Sequence, residues 1–284
     1  MRLAHSETTP WTPVPPVRGG TIEFKTMLEG DENTPDNYQL LLANTDLSFK
    51  SPRHRHNFDQ LRFSLVGDTN IGVKRNLAEG DLAYFPEGTY YGPQDQESVG
   101  KESLAMVVQF GGPSGNGYMS RRQMSESFAK LEKEGRFEGG VYKRNTPAPD
   151  GRMNQDSYEA IWEYQNGRPI EYSKPRFMDL VHFRERNFEW QAVPGQSGAA
   201  TKHIASFTEK GVAVFCVQID AGASYTLPAA PQTQLLFVQR GTGNFGGGEG
   251  HWSAHTAAHF SAGESAHMTA TALTEAVILQ LPRI

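Results

Sequence analysis

Cysteine is all but absent from this chain: 284 residues contain one, Cys216. A single thiol makes no intrachain disulfide and cannot build a thiolate metal site alone. Its setting, Val212-Ala-Val-Phe-Cys-Val217, reads as a buried strand and makes it a core thiol. Long apolar runs are missing too. The best stretches, 40–43 and 212–217, fall far short of the ~20 residues a membrane-spanning helix needs. There is no excess of positive charge: 27 Lys and Arg face 32 Asp and Glu, a net charge of −5, with no long basic run. That balance argues against a dedicated nucleic-acid binder. The opening residues, Met1-Arg-Leu-Ala-His5, lack the apolar core of a secretory signal, so a cytoplasmic location is the default expectation.

What is present fits a turn-rich β protein. Hydrophobic residues make up 37% of the chain, enough for real cores and too many for wholesale disorder. The 29 glycines and 17 prolines exceed the usual ~7% and ~5%, which favours β architecture over a helical bundle. The length suggests about two domains. Residues 1–20, with Pro10, Pro13, Pro15 and Pro16, read as an extended arm suited to covering the sheet edge of a neighbouring chain, hence an expected homodimer. Short strands are then expected at 21–27, 38–43, 60–66, 70–74, 81–85 and 103–110. One helix stands out. Ser120 with Gln123 forms a capping-box pattern, Met119 and Met124 suit a hydrophobic staple, and Met124, Phe128 and Leu131 share a face up to a stop at Gly135. Residues 136–175 are polar and irregular.

An internal repeat organises the rest. Gln60-Leu-Arg-Phe-Ser-Leu-Val-Gly-Asp-Thr-Asn-Ile-Gly72 and Gln234-Leu-Leu-Phe-Val-Gln-Arg-Gly-Thr-Gly-Asn-Phe-Gly246 share six of thirteen residues without gaps. Phe85-Pro-Glu-Gly88 and Phe260-Ser-Ala-Gly263 extend the match. Two copies of one β domain follow. The expected organisation is an arm at 1–20, a first barrel at 21–115, a helical and irregular linker at 116–175 and a second barrel at 176–284.

The chemistry gathers in the first copy. His54 and His56, two apart, share one face of a strand, and Gln60 keeps the same parity. Downstream come Gly80, Pro86, Gly88 and Tyr91. This pair of segments resembles the two cupin motifs. In the first, Ser48 stands for the leading Gly, and His54, His56, Gln60 (for Glu) and Gly67 follow at the family spacing. In the second, Gly80, Pro86 and Gly88 fit, and Tyr91 takes the place of the last His. The resemblance covers about residues 38–111, and the repeat carries it to about 212–281. It implies an all-β fold of two double-stranded β-helix (jelly-roll) barrels joined by a short helical connection.

The resemblance also implies one divalent metal ion in the first barrel, iron foremost, with manganese, nickel, copper and zinc as the other options. His54, His56, Gln60 and Tyr91 would hold it. A metal-bound phenolate at Tyr91 would restore the charge lost with Gln60; the alternative is that Tyr91 hydrogen-bonds or donates a proton. Tyr90 and Glu87, beside the second motif, are the other candidates for proton transfer. In the second copy Pro228 and Ala230 replace the histidines, Gln234 holds the Glu position and Ala266 the last, so that barrel is expected to be metal-free. His251, His255 and His259 recur every four residues but are expected in a loop. The resulting expectation is an enzyme acting on a small-molecule substrate: an O₂-using, dioxygenase-like oxidoreductase, alternatively a non-redox isomerase, lyase or cyclase, or else a non-enzymatic binding cupin.

Overall fold

The computed structural model describes residues 1–14, 18–207, 210–248 and 250–283; Pro15 and Pro16 of the expected arm lie outside them. The chain forms two compact units, one of residues 11–25 and 29–182, the other of residues 1–10, 26–28 and 183–284. It is all-β apart from two helices and short 3₁₀ turns, and each unit is built on a double-stranded β-helix.

The first barrel rests on a seven-stranded sheet in the order Val181–Arg184, Asp81–Phe85, Asp59–Val66, Ser103–Phe110, Tyr38–Thr45, Ile22–Glu29 and Thr12–Pro13. The strand from Asp59 to Val66 lies at its functional centre, hydrogen-bonded on one side to Asp81–Phe85 and on the other to Ser103–Phe110. Its side chains alternate faces. Gln60 and Arg62 line the barrel cavity, while Leu61 and Phe63 are buried on the other face. The second unit repeats this plan. Its sheet runs Arg2–His5, Thr256–Phe260, Gln234–Arg240, Thr274–Gln280, Ala213–Ile219, Ala199–Ser206 and Gln191–Ala192, with Gln234–Arg240 in the place of Asp59–Val66. The sequence repeat is thus a repeat of topology. Cys216 is buried on the strand Ala213–Ile219, and burial pushes its thiol up to about 12.

Two expectations change here. The first residues are not a free arm reaching for another chain. Arg2–His5 pairs antiparallel with Thr256–Phe260 of the same chain, and Thr12–Pro13 pairs with Phe24 and Glu23. The prolines start only at Pro10, so the preceding backbone has every N–H it needs for a ladder. The three histidines at four-residue spacing are not all in a loop. His251 lies on the strand Gly250–Trp252 and His259 on Thr256–Phe260, with His255 in the turn between them at φ 63°.

Residues 116–175 form more than a linker. Helix α1 spans Arg121–Leu131 and opens with the expected capping box: Ser120 Oγ accepts from Gln123 N–H, and the Gln123 side chain accepts from Ser120 N–H. Three strands follow, Gly135–Glu138, Val141–Arg144 and Asn154–Asp156. Helix α2, Ser157–Asn166, is capped by the Asp156 carboxylate at Tyr158 and Glu159 N–H and stopped by Gly167 at φ 63°. Trp162, Ile161, Tyr158, Phe128, Leu131 and Tyr142 give this segment a core shared with Phe58 and Tyr118. Ser120→Ala removes both the cap and the Ser120 bond to Glu32. It should lower stability by about 1 kcal/mol, read as a shifted denaturant midpoint with unchanged slope.

Candidate metal centre

Backbone pairing brings the two motifs together. His54 N–H donates to the Tyr91 carbonyl at 3.0 Å, Tyr91 N–H returns the bond to His54 at 2.9 Å, and Gly88 N–H donates to the His56 carbonyl at 2.7 Å. His54 and His56 therefore do not sit on a regular strand, as their spacing suggested. They occupy an irregular segment held by one isolated bridge, because Pro52 lacks the N–H a ladder needs. Gly88, at φ 75°, makes the turn; a side chain there would strike the Ser173 carbonyl.

The side chains converge. The His54 ring lies 5.0 Å from His56 and 4.4 Å from Tyr91, centroid to centroid. His54 Nδ1 stands 2.8 Å from the Pro52 carbonyl. A carbonyl only accepts, so Nδ1 carries the proton and Nε2 keeps its lone pair, the arrangement that orients a metal-binding imidazole. His56 stacks on Phe58 at 4.4 Å, and its Nε2 lies 3.3 Å from Tyr91 Oη. Arg62 Nη2 donates to the same phenol oxygen at 3.0 Å.

Electrostatics keep both imidazoles neutral. Burial, then the Arg18 charge, drives His54 down to about 3. Burial, then His54 and Arg62, holds His56 well below its ordinary value. Burial raises the Tyr91 phenol, with Arg62 and Arg18 pulling the other way. Neutral imidazoles with free lone pairs are what a cation requires.

These groups face a cavity that opens to solvent. Phe58, Tyr118, Tyr158 and Ile161 form one wall, supplied by the helical segment and the strand entry beside it; Arg18, Arg62 and Arg121 also face it. Tyr158 Oη donates to Asn57, and Tyr118 Oη bonds to Gln39 and Gln109, so both phenols are fixed in place.

Not every expected residue reaches this site. Gln60 lines the cavity, but with its amide oxygen turned to Arg62 it accepts from Nε and Nη2 at 2.7 and 3.0 Å. It supports Arg62 and is not free for an ion. Glu87 is buried outside the cavity: its two oxygens accept from Ser114 N–H and Oγ at 2.8 Å each, and it packs against Gly112. It fastens the segment after Ser103–Phe110. Tyr90 does not line this cavity and is 45% exposed beneath Arg53 and Arg55. Arg62, by contrast, was missed although its parity with Gln60 marks it as inward-facing.

The fit to a divalent ion rests on three atoms. No three His, Cys, Asp or Glu side chains cluster among the described residues, so the two imidazoles would need a donor of another kind, and the phenol is beside them. Two donors bound at about 2.0–2.2 Å and near-tetrahedral angles lie roughly 3.3 Å apart, the separation of His56 Nε2 and Tyr91 Oη. His56 and Tyr91 thus have the spacing of two ligands, the His54 ring lies beside both, and Gln60 is turned to Arg62. The matching region of the second barrel differs. Trp252, Phe245, Phe260, Tyr225 and Met268 form a core cluster there, and Gln234, which donates to the Pro228 carbonyl, lines a cavity with Tyr225, Leu227 and Gln280 but with no histidine.

No protein-family model matches the chain, and no curated protein matches it. Solved structures do. A Nostoc punctiforme protein provisionally described as a dioxygenase aligns over 99% of this chain and 82% of its own, with TM-score 0.64 and 11% identity. Bacillus subtilis oxalate decarboxylase, a protein with Mn(II) centres, aligns over 100% and 78%, with TM-score 0.57 and 13% identity. Streptomyces albus HEPD, solved with 2-hydroxyethylphosphonate and Fe(II), aligns over 99% and 76%, with TM-score 0.57 and 13% identity. At these identities the likeness is one of fold.

Proposed function

Taking as premise that this chain has the bicupin fold, two cupin barrels in one polypeptide, we propose that the first barrel is the active site of a metal-dependent oxidoreductase that uses O₂ on a small organic molecule. The observation that carries this reading is the convergence of His54, His56 and Tyr91 at the floor of the cavity. Two neutral imidazoles and one group able to become an anion reproduce, with phenolate for carboxylate, the donor pattern of non-haem iron oxygenases. The chemistry an ion supplies there is activation of dioxygen at positions the protein leaves open. The solved relatives that carry Mn(II) or Fe(II) support a divalent ion.

The chain's own residues prepare that chemistry. Pro52 fixes the His54 tautomer through Nδ1. Phe58 holds the His56 ring by stacking. Arg62 donates to Tyr91 Oη and so favours loss of the phenol proton, offsetting the burial that opposes it. Phe58, Tyr118 and Tyr158 supply an aromatic wall beside the floor.

A second reading has one observation in its favour. The hydrogen-bond chain from Arg62 through Tyr91 to His56 places a phenol proton in the cavity, where it can serve isomerase or lyase chemistry. Tyr91→Phe separates the two. If Tyr91 is a ligand, the variant loses metal, and the visible tyrosinate-to-iron(III) charge-transfer band of the oxidised iron-loaded protein disappears. A variant that keeps its metal but loses turnover without O₂ uptake favours the proton-transfer reading.

A further inference from the structure

The cavity is lined by three guanidiniums and by no carboxylate. Arg18 is paired with Asp156, which does not line it, at 3.5 Å. Arg62 is spent on the phenol of Tyr91 and the amide of Gln60. Arg121, the first residue of α1, is half-buried, with its guanidinium 4.6 Å over the Phe24 ring. Among the described residues no carboxylate forms an ion pair with Arg62 or Arg121. The acid whose charge reaches Arg121 is Glu29, which accepts from Gln39 and also stays outside the lining. A desolvated cation without a paired anion is costly, and clefts walled by one sign of charge concentrate counter-ions of the other.

We infer that this cavity takes a small organic acid, with Arg121 binding its anionic head and apolar walls such as Phe24, Phe49 and Ile161 receiving its body. The inference deepens the reading above and rests on it for the cavity's being an active site. Acid recognition itself needs no metal, because the cations belong to the protein. A carboxylate and a phosphonate offer Arg the same paired oxygens, so both heads belong to the class. If a divalent ion is also bound, the positive charge to be balanced only grows.

The test is calorimetric titration of the whole chain, metal-loaded and chelator-stripped, with benzoate, phenylacetate, phenylphosphonate and the neutral amides benzamide and phenylacetamide. Acids should bind at least about ten-fold tighter than their amides, as expected when a charged hydrogen-bond partner is matched. Tighter phosphonate than carboxylate binding assigns the head as a phosphorus acid, and the reverse assigns a carboxylic acid. Arg121→Gln should weaken acids about ten-fold and leave amides unchanged, and Arg121→Lys, which keeps the charge, should retain the preference for acids. Acid preference that survives metal stripping upholds the inference even if the metal reading fails. Equal binding of acids and amides, no acid binding at millimolar concentration, or acid affinity unchanged in Arg121→Gln overturns it.

Discussion

Replacing both His54 and His56 with alanine should abolish metal loading while the barrel stays folded. The two imidazoles supply the nitrogen donors of the proposed centre. Loss of groups that merely support a ligand typically costs 10–100-fold in metal affinity, so loss of two ligands should exceed about 100-fold. The structural cost is small by comparison. It comprises the His54 bond to Pro52, worth about 1 kcal/mol, the stacking of His56 on Phe58, the contacts of both rings with Tyr91 and the space they vacate. The backbone bridges from His54 to Tyr91 and from Gly88 to His56 need no side chain and remain. Equilibrium dialysis against iron or manganese, with circular dichroism as the control for folding, reads both parts. A folded double variant that retains its metal would place the ligands elsewhere.

Trp162→Ala should be the most destabilising single change in the helical segment. Trp162 is 2% exposed at the centre of the core that joins α1, α2, Phe58 and Tyr118. Truncating a buried Trp typically costs 3–5 kcal/mol, from lost transfer energy and the void left behind. The Arg168 guanidinium, 4.7 Å over the indole, loses its partner as well. The functional consequence follows from position. Tyr158 and Ile161 precede Trp162 on the same helix and wall the cavity, whereas His54, His56 and Tyr91 are held by the barrel. Small-molecule affinity should therefore drop more than metal affinity. Thermal unfolding and the calorimetric titrations measure the two effects; a variant as stable as the parent would mean that the segment is no structural part of the site.

The strands were readable because alternation, Gly and Asn turns and the repeat agreed with one another. The expected strand at 103–110 is the observed Ser103–Phe110, and 81–85 is Asp81–Phe85. The capping box at Ser120 was legible for the same reason: its signal is local. Features that depend on distant partners were not. Arg2–His5 gives no sign of the edge it joins some 250 residues away. Helix α2 hides in a polar stretch because its stabilising contacts come from α1 and the strand entry. At the site, motif spacing singled out His54, His56 and Tyr91, which the fold brings together, and it added Glu87 and Tyr90 by proximity in sequence alone. Glu87 turned out to be tied to Ser114, and Tyr90 to lie outside the cavity lining. Arg62 was within reach of the parity rule that selected Gln60, although a cation is no metal ligand. Arg121 was beyond reach, since only the fold brings the start of α1 to the barrel mouth.

The proposed function rests on the asymmetry of the two barrels: the first brings His54, His56 and Tyr91 together, whereas the second carries Pro228 and Ala230 in place of the histidines. Metal analysis of the purified chain after reconstitution tests it most directly. The account predicts one divalent ion per chain, lost in the double histidine variant, with O₂ uptake in the iron-loaded form. No metal above background after reconstitution, or two ions per chain, would contradict it.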